Sequence, residues 1–308
     1  MPKRQFDDVL LGSIELFCLA AEEGSFTAAA LSAGVTPAAV SRSVARLEER
    51  LGVRLFVRTT RSIRLTEGGR SYYEQSRQAL TQLVDAEREV MGQQAQPAGT
   101  LRISLPTTYG HHRILPLLAE FRGRYPKVSI DINLSNQNID FVGGGYDAAI
   151  RVRAQPDSTL IARLLEDAPL VVIAAPEYLA RVGEPLVLAD LEQHECIQFE
   201  LPSSGRRISW LFNENGELRE IFASGSYVCS EDVLGGVTLA KSGVGLFQTY
   251  RFIVERELAD GTLVEVLKDF GGCSRPFSLL YPHGRHVPLR LRAFIDFLME
   301  KKGAWERP

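Results

Sequence analysis

The sequence predicts an α/β protein with an all-α-plus-wing module at its N-terminus. Three observations predict it. Residues 25–66 hold two short helical stretches joined by a glycine-containing turn and followed by a basic hairpin. Residues 67–92 carry a heptad-spaced seam. From Thr100 onward, short apolar strands alternate with helical stretches, which is the pattern of an α/β sheet.

In the first segment, Leu10, Ile14, Phe17, Cys18 and Ala21 recur at helical spacing, so residues 9–22 form a first helix packed behind the next two. Ser25 is the expected cap of an Ala-rich helix, Thr27–Ala33, which stops at Gly34. After the turn Gly34-Val35-Thr36, Thr36 caps a second helix. Pro37 occupies its first position, where a missing N–H costs nothing. That helix runs to Leu51 and is stopped by Gly52. Val40, Val44, Leu47 and Leu51 are spaced 4, 3 and 4 apart and define its buried stripe. The opposite face carries Ala38, Arg42, Ala45 and Glu49, flanked by Ser41 and Arg46. Val53–Val57 and Ser62–Thr66 read as strands around the basic tip Arg58-Thr59-Thr60-Arg61.

Small residues and one arginine at the start of a helix suit entry into the DNA major groove, because the backbone can approach closely and Arg42 can reach a guanine edge with two hydrogen bonds. Residues 36–66 contain seven Arg and two Glu, although the whole chain has a formal charge of −3. Local charge decides phosphate binding. The plainer alternative is a helical domain with an exposed arginine face.

The run EEGSFTAAA…VTPAAVSRSVARLEERLGVRLFVRTTR…LTEGG resembles the winged helix-turn-helix of LysR-type transcriptional regulators, in a long and nearly ungapped match. The family usually has Gln at the start of the recognition helix, where this chain has Pro37. Readout is therefore expected to lean on Thr36, Ser41, Arg42 and the wing. The full expected DNA-contact set is Ser25, Thr27, Thr36, Pro37, Ala38, Ser41, Arg42 and Arg46 with Arg58, Arg61 and Arg64 of the wing.

In residues 67–92, capped by Thr66, the positions Tyr73, Ser76, Leu80, Leu83, Glu87 and Val90 recur at 3-4-3-4-3 spacing. At 1.5 Å per residue such a helix spans about 38 Å. It is expected to pair two chains through Tyr73, Leu80, Leu83 and Val90, which the resemblance also implies. The alternative is packing against its own domain. Residues 93–99, QQAQPAG, read as a hinge.

The 308 residues, 45% apolar and 24% charged, are ordinary for a globular chain of two or three domains. Asp7, Asp8 and Glu15 interrupt any apolar core at the N-terminus, so neither a signal peptide nor a membrane span is expected, and cytoplasmic residence follows. Cys18, Cys196, Cys229 and Cys273 are far apart without CxxC spacing, so a zinc cluster is not expected and reduced thiols are.

Strands are expected at Leu101–Leu105, Val128–Leu134, Ala148–Val152, Leu170–Ala174, Cys196–Phe199, Val244–Phe247 and Phe277–Tyr281. Helices are expected at Ile114–Arg124, Pro176–Arg181, Glu231–Ser242 and Pro288–Lys301. Ile208–Phe212 and Leu218–Ala223 read as a hairpin around Asn213-Glu214-Asn215-Gly216. LPTTYG, LLAEFRGRYPKVSIDINLS, YDAAIRV, PDSTLIARLL and SGVGL resemble, more loosely, the effector domain of the same family, a two-lobed fold similar to type 2 periplasmic binding proteins. The resemblance implies lobe I from 100–165 and 270–303, and lobe II from 166–269. The domains then divide as 1–66, 67–92, 93–99 and 100–308. Gly143-Gly144-Gly145 departs from the family pattern and suggests a flexible loop; it lacks the GxxxxGK[ST] frame of a phosphate loop.

Ligands of α/β sheets bind beyond the carboxyl ends of strands. The expected effector-binding positions are Pro106, Thr107, Thr108, Ser135, Asn136, Arg151, Phe199, Ser230, Gly245 and Phe247. Individually, several could be turn or cap residues; Arg151 could pair with Glu231 or Asp232. Otherwise it could orient a small organic anion. The adjacent His111 and His112 point about 100° apart on a helix, poor geometry for one metal. No GxSxG, HExxH or nucleotide fingerprint occurs, so neither a cofactor nor catalysis is expected. Phe6, Phe17 and Phe26 are spaced like core residues.

The expected function is transcriptional regulation by sequence-specific DNA binding, modulated by a small molecule between the lobes. The resemblance implies a dimer unit, a tetramer on inverted-repeat DNA, and RNA polymerase as a further partner. The competing classes are a solute-binding receptor and a small-molecule enzyme on the same scaffold.

Overall fold

The computed structural model describes residues 8–58, 63–90, 96–137, 145–152, 160–202, 204–283 and 287–305. The chain divides into two compact units, residues 1–95 with 140–145 and residues 96–139 with 146–308.

The first unit is built from α1 (Asp8–Glu23), α2 (Phe26–Ala33), α3 (Pro37–Leu51), the antiparallel pair β1 (Phe56–Arg58) and β2 (Ile63–Leu65), and α4 (Glu67–Val90). Its core gathers Phe17, Ala20, Ala29, Ala30, Val40, Val44, Leu47 and Leu55. Phe17 is fully buried and meets Phe56 and Tyr72 with ring centroids 5.4 and 5.6 Å apart. Phe26 packs edge-on to Phe56. Three of the four stripe residues of α3 are buried as expected. Leu51 is the exception at 37% exposure, because the helix ends there and Gly52, at φ 69°, turns the chain away. The wing strands are shorter than expected, three residues each. The tip residues 59–62, including Arg61, lie outside the described residues, as do Phe6 and the 93–95 part of the expected hinge.

The second unit contains a seven-stranded mixed sheet in the order β11-β6-β13-β5-β3-β4, with β12 also paired to β6. The strands are β3 (Gly99–Leu105), β4 (Val128–Leu134), β5 (Ala148–Val152), β6 (Leu160–Ala174), β11 (Phe247–Tyr250), β12 (Val264–Val266) and β13 (Ser274–Pro282). β6 is far longer than the expected Leu170–Ala174. Its first half pairs with β13 across the β3–β5 side, and its second half carries β11 and β12. The chain thus passes between the lobes along β6 and β13. Smaller pairs complete the unit. β7 (Gln198–Glu200) lies parallel to β10 (Val228–Ser230), and the hairpin β8 (Trp210–Glu214) to β9 (Glu217–Ile221) turns on Asn215 and Gly216, both at positive φ.

Helical structure begins earlier than expected after β3. It starts with α5 (Thr107–Tyr109), passes through a π turn at 110–114 and a 3₁₀ turn at 115–117, and ends in α6 (Leu118–Arg124). Pro116 has no N–H to donate, so this run cannot be one regular α-helix. Three further helices are Pro176–Val182, Val233–Lys241 and Leu289–Trp305. Arg251–Asp260 is a helix that the sequence analysis did not identify.

Candidate DNA interface and ligand site

In the first unit, cap chemistry sets up the start of α3. Ser25 Oγ accepts from the Ala28 N–H at 3.3 Å and Thr36 Oγ1 from the Ala39 N–H at 3.2 Å. Gly34 adopts φ 67°, and the Val35 N–H returns to the Ala30 carbonyl at 2.9 Å, which closes the turn between the helices. Thr27, Thr36, Pro37, Ala38, Arg42 and Arg46 are exposed, while Ser25 and Ser41 are half-buried. Arg42 and Arg46 form no ion pair among the described residues. α3 therefore buries one face and presents small residues and two cations on the other. Arg64 on β2 is exposed; the side chain of Arg58 lies outside the described residues.

One buried residue in this module escaped sequence reasoning. Glu48 is 5% exposed; its Oε1 accepts from the N–H groups of Leu55 at 2.8 Å and Phe56 at 3.2 Å. Only a charge standing on the apolar side of an amphipathic helix could have signalled it. Along α4, Tyr73 and Leu80 pack against the core of their own unit, whereas Leu83 is 48% and Val84 44% exposed. Of the expected dimer seam, Leu83 remains open; the side chain of Val90 lies outside the described residues.

In the second unit, the ends of β3, β4 and β5 converge. Asn136 Oδ1 accepts from the Thr107 N–H at 3.1 Å, and its Nδ2 donates to Thr107 Oγ1 at 2.9 Å and to the Glu231 carbonyl. Asn136 thereby joins a strand end of one lobe to the turn before the helix Val233–Lys241 of the other. Glu231 sits at φ 64°, a left-handed conformation that costs a non-glycine residue free energy. Ser135 and Thr107 are half-buried, Pro106 and Thr108 buried, and Ser230 exposed.

Arg151 reaches across the same strand ends. Its Nη2 donates to Ser104 Oγ at 2.8 Å and to the Gln137 carbonyl at 3.0 Å, and its Nη1 to the Ser104 and Ile150 carbonyls at 3.2 and 2.6 Å. These acceptors are all neutral. The alternative pairing with Glu231 or Asp232 is not found; Asp232 instead caps its own helix through the Leu234 N–H at 3.0 Å. Burial lowers the Arg151 pKa to about 10. Ser104 and Gln137 belong to this cluster and were not anticipated as partners of Arg151.

Three expected effector positions fall elsewhere. Phe247 is 1% exposed and its ring lies 2.4 Å from where a Cβ on Gly236 would stand, so it is a core residue. Gly245 is buried, with a Cβ position only 2.1 Å from the Glu195 carbonyl oxygen; its role is close backbone packing. Phe199 packs half-buried on the main core. Among the described residues no cluster of His, Cys, Asp or Glu is arranged to hold a metal, and no helix is long and apolar enough to cross a membrane.

Comparison with known proteins gives matches along nearly the whole chain. Residues 11–70 match the profile described as bacterial regulatory helix-turn-helix protein, lysR family, and residues 94–303 the LysR substrate binding domain. An HTH-type transcriptional regulator of Xanthomonas campestris is 37% identical over 93% of this chain and 83% of its own. The regulator CrgA of Neisseria meningitidis is 35% identical over 94% of this chain and 96% of its own. Among solved structures, CrgA superposes with a TM-score of 0.59 at 32% identity, covering 95% of this chain and 98% of that one. The full-length Vibrio cholerae virulence activator AphB gives 0.60 at 29% identity, covering 94% and 98%.

Proposed function

Because the chain belongs to the LysR family of transcriptional regulators, we propose that it reads an inverted-repeat operator by laying α3 in the major groove. Like its relatives, it is a transcriptional regulator with an effector-binding domain, not an enzyme or a solute receptor. Such regulators bind DNA and small-molecule effectors and form oligomers. The observation that carries the proposal is the exposed face of α3, where a capped N-terminus, the small residues Pro37 and Ala38, and Arg42 and Arg46 stand together. Thr36 and Ser41 complete the groove contacts. Ser25, Thr27 and the wing arginines Arg58, Arg61 and Arg64 hold phosphates or a narrow minor groove.

In this reading residues 1–66 bind DNA and residues 67–92 pair chains. Residues 93–99 link them to the effector domain at 100–308, two dimers assemble on the operator in the cytoplasm, and RNA polymerase is engaged there. The effector is a small organic anion at the strand ends around Thr107, Thr108, Asn136 and Arg151. A guanidinium surrounded by neutral acceptors, the Ser104 hydroxyl among them, favours an added negative charge.

The test is to recover and sequence genomic DNA fragments retained by the purified full-length chain. Enrichment of a shared inverted repeat is the expected result; retention of fragments without any shared sequence would refute sequence-specific reading.

A further inference from the structure

Residues 54–56 lead from α3 into the wing, and two elements grip them from opposite sides. From α3, the buried carboxylate of Glu48 accepts the N–H groups of Leu55 and Phe56, and its Oε2 lies 3.5 Å from Nη1 of Arg54. From the start of α4, Thr66 Oγ1 donates to the Arg54 carbonyl at 2.7 Å and accepts the Gly69 N–H at 2.9 Å, while the Thr66 N–H donates to the Leu55 carbonyl at 2.9 Å. Gly69 is required by this contact. A Cβ there would stand 1.9 Å from the Leu55 carbonyl oxygen.

A carboxylate turned inward, on the same side of α3 as Val44 and Leu47, is expensive unless its hydrogen bonds are all made. Here the bonds go to the first two residues of the segment that becomes β1. Leu55 is fully buried and Phe56 4% exposed, so both N–H groups would otherwise be sealed from water without a partner. A hydrophobic residue at position 48 would fill the same space but leave those two donors unsatisfied, and the chain would gain by moving β1 away from α3. The Glu48 carboxylate therefore adds a directional polar tie between α3 and the start of the wing to the apolar packing of Leu55 and Phe56 on Val40, Val44 and Leu47.

We propose that Glu48 is a positioning residue for DNA recognition: its carboxylate sets where the wing stands relative to α3, so that both reach the duplex at once. This rests on reading α3 and the wing as the DNA-contacting pair. Glu48 touches no DNA; it acts through Leu55 and Phe56 on the strand that carries Arg58 and, across the hairpin, Arg64.

The experiment compares Glu48→Gln, which keeps an oxygen acceptor, with Glu48→Met, which keeps the volume alone. Binding of the full-length chain to a mixed-sequence 30-base-pair duplex is measured across a salt series. Each phosphate contact contributes roughly 0.9 to the slope of log affinity against log salt. The triple variant Arg58→Ala/Arg61→Ala/Arg64→Ala, with the wing discharged, serves as the reference background. Glu48→Met is expected to lower the slope in the parent and leave it unchanged in the discharged-wing background, whereas Glu48→Gln matches the parent. An equal drop in both backgrounds, or identical slopes for Met and Gln, would overturn the proposal. If Glu48→Met does not fold, amide exchange in the parent decides: Leu55 and Phe56 N–H groups exchanging as fast as exposed loop amides would overturn it, and protection matching that of α3 supports it. Arg42→Ala measured on the recovered operator separates this from the underlying reading, since full affinity there would remove α3 from base reading whatever Glu48 does.

Discussion

Arg113 donates two parallel hydrogen bonds to Glu166, Nε to Oε2 and Nη2 to Oε1, each at 3.1 Å. Arg113 leaves the π turn after α5, and Glu166 sits on β6 where that strand passes from one lobe to the other. Glu166 is 2% exposed, and Arg113 also stacks over Phe252 at 4.9 Å. A buried pair of this kind contributes little net stability, but losing one partner strands the other. Arg113→Met should destabilise the second unit by roughly 3–5 kcal/mol, and adding Glu166→Leu should recover most of that loss. Both tryptophans, Trp210 and Trp305, lie in this unit, so urea unfolding followed by their fluorescence reads it directly. A double variant as unstable as the single one would show that the bidentate pair is not what Arg113 supplies.

Gly69→Ala should cost about 1–3 kcal/mol, the usual penalty for inserting a methylene where backbone has no room. The obstacle is the Leu55 carbonyl rather than a movable side-chain tip. Gly68→Ala, whose Cβ meets nothing within 4 Å, is the control and should be neutral or stabilising in the first turn of α4. Thermal melts of both variants check the contrast.

The thiols of Cys18 and Cys196 are buried, and burial raises both pKa values to about 12. Unfolded, each ionises near ~8.5. Above that pH the unfolded chain binds fewer protons than the folded one, so stability falls as pH rises, by up to about 1.4 kcal/mol per pH unit for each thiol. Below ~8.5 the two states bind these protons equally, and the effect vanishes. A Cys18→Ala/Cys196→Ala variant should show a flatter loss of stability between pH 8.5 and 10.5 than the parent. Parallel profiles would contradict the assigned burial.

On the proposal that α4 pairs two chains, Leu83→Lys should convert the dimer to monomer without lowering the melting temperature of the first unit, since Leu83 is 48% exposed there. Leu80→Lys would be a poor probe, because Leu80 packs on the unit's own core. Light scattering of Leu83→Lys checks this; an unchanged dimer mass would place the contact off α4.

The first unit was the more legible half because its signals are local. Caps, a 4-3-4 stripe and left-handed glycines each act within one turn, and Thr36, Pro37, Val40, Val44 and Gly52 stand as their chemistry requires. The second unit depends on long-range pairing. The full length of β6 was hidden because Ile161–Arg163 gain their strand conformation from β13, over a hundred residues away. The helix Arg251–Asp260 has no side-chain cap bond, which removed its start signal. At the proposed ligand site, Thr107, Asn136 and Arg151 could be named from their places after strands. The bonds from Arg151 to Ser104 and Gln137 could not, because they depend on how three strand ends converge. Phe247 and Gly245 were drawn toward the ligand by the same rule, and packing against Gly236 and Glu195 decided otherwise.

The most direct test of DNA reading by α3 is Arg42→Ala, measured on the recovered operator and on a mixed-sequence duplex at one salt concentration. Loss of a bidentate base contact should cost about 1–3 kcal/mol on the operator and distinctly less on the mixed duplex. Equal losses on the two duplexes would make Arg42 a phosphate contact and contradict base readout by this face of α3.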